Sequence, residues 1–122
     1  MAMKLSDVAS VEVEHVDEPP VALVHVRGEL DFGTTPRLVE ALRGLPGPGE
    51  HLVFDLAGLE FCDSSGLGAL IAAHKTTEAS GRRLYLANLR PTVLTAVTIT
   101  SLDQLFRIRA DLPSVFAEIA GR

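Results

Sequence analysis

From His51 onward the chain alternates between short runs at strand period and longer runs at helical period. This order restricts the fold more than any other feature of the sequence. Residues 51–56, HLVFDL, put Leu52, Phe54 and Leu56 on one face and Val53 on the other, the period-two pattern of a strand. A helix is expected from Ser64 to Ala79, with Leu67, Leu70, Ile71 and His74 on one stripe and Ser80-Gly81 as its stop. Residues 83–89 read as the next strand. Pro91 opens a helix across TVLTAVTIT, although those β-branched residues locally prefer strand. A strand there would need a tight return immediately after Leu89. Residues 106–109 form a short final strand. Asp111 and Pro113 open a last helix whose apolar face is Val115, Phe116 and Ile119. Strands separated by helices run parallel through right-handed crossovers, so an α/β sheet with helices packed against it is expected.

The first half is simpler. In VEVEHV, residues 11–16, Val11, Val13 and His15 face one way and Glu12, Glu14 and Val16 the other. That is a half-exposed strand, with Glu12 and Glu14 as a charged outer face that discourages edge pairing. Asp17-Glu18-Pro19-Pro20 is a turn. VALVHVR, residues 21–27, is a near-continuous apolar run that reads as a more buried strand in a hairpin with the first. GELDFGTTP is a loop. Thr35-Pro36 then opens a helix, with a hydroxyl at the cap and Pro in the first turn. Its stripe is Leu38, Ala41, Leu42 and Leu45, and Gly44 with Pro46-Gly47-Pro48-Gly49 stops it. Thr34 and Thr35 read as helix caps, and Arg82 and Arg83 as solvated loop charges. The expected order is ββαβαβαβα: a mixed, mostly parallel sheet of about five strands in one domain covering residues 1–122, with its core between about 10 and 120.

Composition removes several function classes. A hydrophobic content of 47% over 122 residues supports a core without disulfides or metals. The one cysteine, Cys62, allows no internal disulfide and no finger-type zinc site. It is expected to be a small buried residue. His15, His25, His51 and His74 show no close metal-ligand spacing. The net charge of -5 argues against direct nucleic-acid binding. No apolar run reaches the roughly 18 residues of a membrane helix, and MAMKLSDVAS has no apolar signal core. Cytoplasmic residence without membrane insertion is the expectation.

The chemistry-bearing stretch is FCDSSGLGALI, residues 61–71. A hydrolase elbow needs Gly two positions before its serine. Cys62 and Asp63 stand there instead, and His74 lies on an apolar stripe. A phosphate-binding P-loop needs a Lys after its last Gly, and none is present. A dinucleotide fingerprint fails at Ile71. No catalytic residue, bound cofactor or metal site is therefore expected, and the chain does not read as an enzyme. Two readings stay open. In one, Asp63 and Ser64 cap the helix and Gly66 and Gly68 let it approach the sheet. That leaves two glycines near a helix start unexplained, each unfavourable by about 1 kcal/mol. In the other, exposed Ser64 is a switch. A phosphate there meets free N–H groups at the helix N-terminus and keeps the helix intact, while roughly two negative charges appear beside Asp63.

FCDSSGLGALI resembles the signature of STAS domains, the family of anti-sigma factor antagonists. VHVRGELDFGTTPRL and LVFDLAGLEFCDSSGLG resemble that family's two characteristic segments. The resemblance implies that Ser64 is a phosphoacceptor preceded by Asp63, that Gly66 and Gly68 form the helix entry, and that Asp31 of GELD lies near the switch. It places Asp31, Asp63, Ser64, Ser65, Gly66 and Leu67 on a partner-binding surface. The implied partner is an anti-sigma factor of serine-kinase type, which itself binds ATP and Mg²⁺. A separate phosphatase reverses the mark. The unphosphorylated chain would bind that kinase and free the sigma factor. The alternative within the family is an accessory subunit of a membrane lipid (ABC-type) transporter, or of a stress-signalling assembly, binding constitutively. One departure stands out: Thr100-Ser101-Leu102 puts Ser101 where relatives carry Gly, so a left-handed turn there would be strained.

Overall fold

The computed structural model describes residues 1–121. Strands β1 (Ala2–Ser6), β2 (Ala9–Val16) and β3 (Val21–Leu30) come first, then helix α1 (Thr35–Ala41). Strands β4 (His51–Asp55) and β5 (Leu59–Cys62) follow, and lead into α2 (Ser64–Ala79). The chain closes with β6 (Leu84–Ala87), α3 (Pro91–Ile99), a 3-10 turn (Leu102–Gln104), β7 (Arg107–Arg109) and α4 (Leu112–Ile119).

The sheet order is β1-β2-β3-β4-β6-β7. β1 to β3 are antiparallel, while β4, β6 and β7 extend the sheet in parallel. β3 is the longest strand, at 10 residues. Its first half pairs with β4, from Val21 to His25. Its second half, from Gly28 to Leu30, pairs with β5. The five-strand expectation is therefore corrected to seven: β1 and β5 were not anticipated. β1 buries only Leu5, so it carries no alternation to detect. β5 was read as loop because four residues show no period. It becomes a strand because β3 runs on past β4 and offers an open edge. The GEL segment, also read as loop, is the end of β3.

β3 separates two apolar layers. Ala22, Val24 and Val26 face a large core that includes Leu52 and Phe54 of β4 and Leu56 just after it, with Leu38 of α1, Leu67 and Leu70 of α2, and Val93 and Val97 of α3. Val21 and Leu23 face a smaller layer with Val53, Tyr85, Ala87 and Val115, against which Phe116 and Ile119 of α4 pack. Burial on both faces is why the β3 sequence is continuous rather than alternating.

The TVLTAVTIT helix forms as expected, with Pro91 in its first turn and Val93 and Val97 one turn apart on the buried side. Local β preference loses to the apolar stripe. α1 ends at Ala41, so Leu42 and Leu45 pack against the core from beyond the helix. Thr34 makes no side-chain cap bond to α1; its hydroxyl donates to the Glu29 carbonyl instead (2.9 Å). Arg83 is not simply solvated: its guanidinium lies 5.7 Å from the centre of the Tyr85 ring. No described helix is long and apolar enough to cross a membrane.

Candidate functional site: the β5–α2 corner

The β3–β5 register pairs Leu30 with Cys62, and the Asp63 N–H donates to the Leu30 carbonyl (3.0 Å). The segment after β3 and the start of α2 are therefore held side by side, which brings Asp31 next to Asp63. Each aspartate closes its own turn. Asp31 Oδ1 accepts from the N–H groups of Gly33 (2.9 Å) and Thr34 (3.1 Å). Thr34 Oγ1 in turn accepts from the Asp31 N–H (2.9 Å).

Asp63 is the N-cap of α2. Its Oδ1 accepts from the Ser65 N–H (2.9 Å), the Gly66 N–H (3.2 Å) and the Ser65 hydroxyl (2.5 Å). The Ser65 hydroxyl is the main reason the Asp63 carboxyl is held below the usual carboxylate range; burial opposes the shift, and the N–H groups of Gly66, Ser65 and Phe32 add to it. Ser65 also lies 3.4 Å from the Thr35 hydroxyl.

Ser64 differs from its neighbours. It is the first residue of α2, it is exposed, and among the described residues its hydroxyl makes no hydrogen bond. The corner thus contains one free hydroxyl, at a helix N-terminus, and three engaged ones, on Thr34, Thr35 and Ser65. The nearby helix donors from Ser65 and Gly66 are already committed to Asp63.

The two glycines do different work. A Cβ on Gly66 would lie 2.6 Å from Cys62 Sγ and 2.8 Å from Leu30 Cβ, so Gly66 lets α2 start directly against β3 and β5. A Cβ on Gly68 would meet nothing within 4 Å, so the expectation that Gly68 serves close packing is wrong. Gly66 and Leu67, placed by resemblance on the partner surface, are buried. Leu67 is only 7% exposed and belongs to the main core. What they present to a partner is small. Asp31, Asp63 and Ser65 are half-buried, and Ser64 is open.

Cys62 is buried, and burial pushes its thiol up to about 12, which keeps it protonated and unreactive. His74 is buried with its ring edge-on to Phe106, 5.7 Å between centroids, and is part of the packing. Ser101 has φ 60 and ψ 17, the left-handed conformation, so the strain anticipated from its sequence position is present.

Sequence reasoning passed over Phe32 and Phe61. The chain has 5 Phe and 1 Tyr, and the aromatics exposed at its surface are these two, at 81% and 43%. For Phe32 the available signal was an aromatic inside a Gly- and Thr-rich loop, where no helical or strand period accounts for it.

Residues 10–115 match the STAS domain family model. The anti-sigma-B factor antagonist of Bacillus subtilis (strain 168) is 32% identical over 87 residues, covering 71% of this chain and 80% of that protein. The anti-sigma-B factor antagonist of Staphylococcus epidermidis is 29% identical over 100 residues, covering 81% and 93%. Among solved structures, an anti-sigma factor antagonist from Mycobacterium paratuberculosis superposes with a TM-score of 0.81 at 26% identity, covering 96% of this chain and 98% of that one. The sequence match over nearly the whole domain and the shared backbone agree with the DSSGLG corner built above: this chain belongs to the STAS domain family of anti-sigma factor antagonists.

Proposed function

We propose that this protein is a partner-switching regulator that binds an anti-sigma factor of serine-kinase type, frees the sigma factor, and is switched off by phosphorylation of Ser64. The observation that carries the reading is the isolation of the Ser64 hydroxyl. It is exposed at the N-terminus of α2, while Ser65 beside it is tied to Asp63 and close to Thr35. A kinase reaching this corner meets one acceptor.

The physics of the switch is electrostatic. α2 tolerates a phosphate at its N-terminus, because the helix dipole favours negative charge there. The phosphate nevertheless sits beside an Asp63 that already holds the Ser65 and Gly66 donors. Roughly two further negative charges then crowd the corner without new donors to absorb them. A docked partner loses complementarity, and a mismatched close charge costs about 2–5 kcal/mol, enough to reverse a choice of partner. ATP and Mg²⁺ belong to the kinase, and a separate phosphatase restores the binding form. The chain itself carries out no chemistry.

The test is a pull-down from lysate of the source organism with wild-type and Ser64→Glu baits, with the retained proteins identified by mass spectrometry. Retention of a kinase-fold anti-sigma factor by the wild type and its loss with Ser64→Glu is the expected result. Incubation of the purified pair with ATP then places phosphate on Ser64. If both baits hold the same transporter ATPase, Ser64 is only part of a helix start at a constitutive interface, and the switch reading fails.

A further inference from the structure

We propose that Phe32 is the apolar anchor by which the anti-sigma factor grips this corner, so that affinity resides in the ring and control in the neighbouring serine. The inference rests on the function proposed above and identifies the residue that supplies the binding.

Phe32 is 81% exposed. An aromatic ring left in water forgoes the stabilisation that burial would give, and a polar residue would serve the turn equally well. The backbone that carries the ring is also held in place. On one side of Phe32, Asp31 Oδ1 accepts from the Gly33 and Thr34 N–H groups. On the other, the Thr34 hydroxyl donates to the Glu29 carbonyl (2.9 Å) and accepts from the Asp31 N–H (2.9 Å). Every tether at this turn is backbone or polar, and none restrains the ring. An exposed aromatic on a pre-ordered turn loses little freedom on docking, and such residues dominate interface energetics.

Position selects the occupant. The β3–β5 register and the Asp63 N–H bond to the Leu30 carbonyl set the segment that carries Phe32 beside the cap residue that immediately precedes Ser64. The second exposed aromatic, Phe61, is paired with Glu29 in that same register. A kinase domain that closes on the Ser64 hydroxyl must therefore cover Phe32. The partner's matching surface is an apolar pocket bordering its phosphoryl-transfer site.

The test uses the full chain and the purified anti-sigma factor kinase recovered with the wild-type bait. Binding is measured by calorimetry for wild type, Phe32→Ala and Ser64→Glu, with kcat/KM for Ser64 phosphorylation by the same kinase. Phe32→Ala is expected to weaken binding at least 30-fold and to lower kcat/KM through KM. Its melting temperature stays within about 1 °C of wild type, as for an exposed side chain with little packing. If Phe32→Ala binds like wild type while Ser64→Glu does not, the anchor inference is overturned and the switch stands. If Phe32→Ala loses binding only because it melts early, the ring is structural and the inference is again overturned. If the wild type binds no such kinase, the proposed function fails and takes the anchor with it.

Discussion

Gly66 and Gly68 lie two residues apart in the same helix, and the structure predicts opposite responses to the same substitution. At an unconstrained helical position, replacing Gly by Ala stabilises by about 1 kcal/mol. Gly68 is such a position, since an added Cβ meets nothing within 4 Å. For a chain of this length 1 kcal/mol corresponds to about 4 °C in Tm, so Gly68→Ala should melt about 4 °C higher. Gly66→Ala gains the same helical term but forces a methyl to within 2.6 Å of Cys62 Sγ and 2.8 Å of Leu30 Cβ. Leu30 Cβ is fixed directly to the backbone of β3, so relief requires α2 to move away from the sheet. Overpacking of this kind costs about 1–3 kcal/mol. With two hard contacts the upper half of that range applies, leaving a net loss of about 1–2 kcal/mol and a Tm lower by about 4–8 °C. Thermal and urea unfolding of the two single variants beside wild type measures the difference, expected to be about 2–3 kcal/mol. A Gly66→Ala protein as stable as wild type, or more so, would refute the claim that this glycine sets the approach of α2 to the sheet.

Other outcomes follow from the same geometry. Ser101 holds φ 60, so Ser101→Gly should raise stability by up to about 1 kcal/mol after the extra flexibility of unfolded glycine is subtracted. Ser101→Ala should gain nothing, and chemical denaturation distinguishes the two. Asp63→Ala removes the N-cap of α2 and should cost about 1 kcal/mol, with Asp63→Asn losing less. Because the Asp63 carboxyl is held below its ordinary value, chiefly by the Ser65 hydroxyl, its contribution is present above about pH 4. It fades as pH falls through the lowered value, which an acid titration of Tm in wild type and Asp63→Asn would show. Burial alone would lower the pKa of His25, yet hydrogen bonds to Glu14 (2.7 Å) and Asp55 (2.6 Å) prevail and raise it above the ordinary 6.5. Its stabilisation is complete below 6.5 and is lost as pH rises through the raised value. NMR titration of the imidazole should find the midpoint above 6.5, and a midpoint below it would mean burial wins.

The helices were legible because each carries its own period and its own stops. α4 shows this well: Asp111 accepts from the Ser114 N–H as a cap (2.9 Å), Pro113 lies in the first turn, and Val115, Phe116 and Ile119 face inward. The core strands were legible for the same reason. β1 and β5 were not, because a strand that buries one or two side chains exists only through the edge it joins. Thr34 shows the same limit at a single residue. Its type fits a helix cap, but the Glu29 carbonyl, left by the end of β3, captures the hydroxyl instead. Arg83 was read as a solvated charge because nothing local places it over Tyr85.

By itself the sequence determined the α/β order, the position of the loop before α2, and the residue types DSSG. Those are local properties, set by periodicity, capping chemistry and backbone freedom within a few residues. It left Ser64 open between a helix cap and an exposed, unengaged hydroxyl. Ser64 and Ser65 are identical in type and adjacent in the chain. Only the helix start, the Asp63 carboxylate reaching back to Ser65, and Thr35 arriving from α1 tell them apart. Nor could it separate Gly66 from Gly68, since the difference is the presence of Leu30 and Cys62 against one and open space beside the other. The Asp63–Ser65 bond is local, but the glycine distinction comes from β3 extending beyond β4 to pair with β5, a contact between segments some 30 residues apart in sequence. That pairing has no signature in either segment alone, because its stabilisation comes from hydrogen bonds and burial that exist only once both segments are in place.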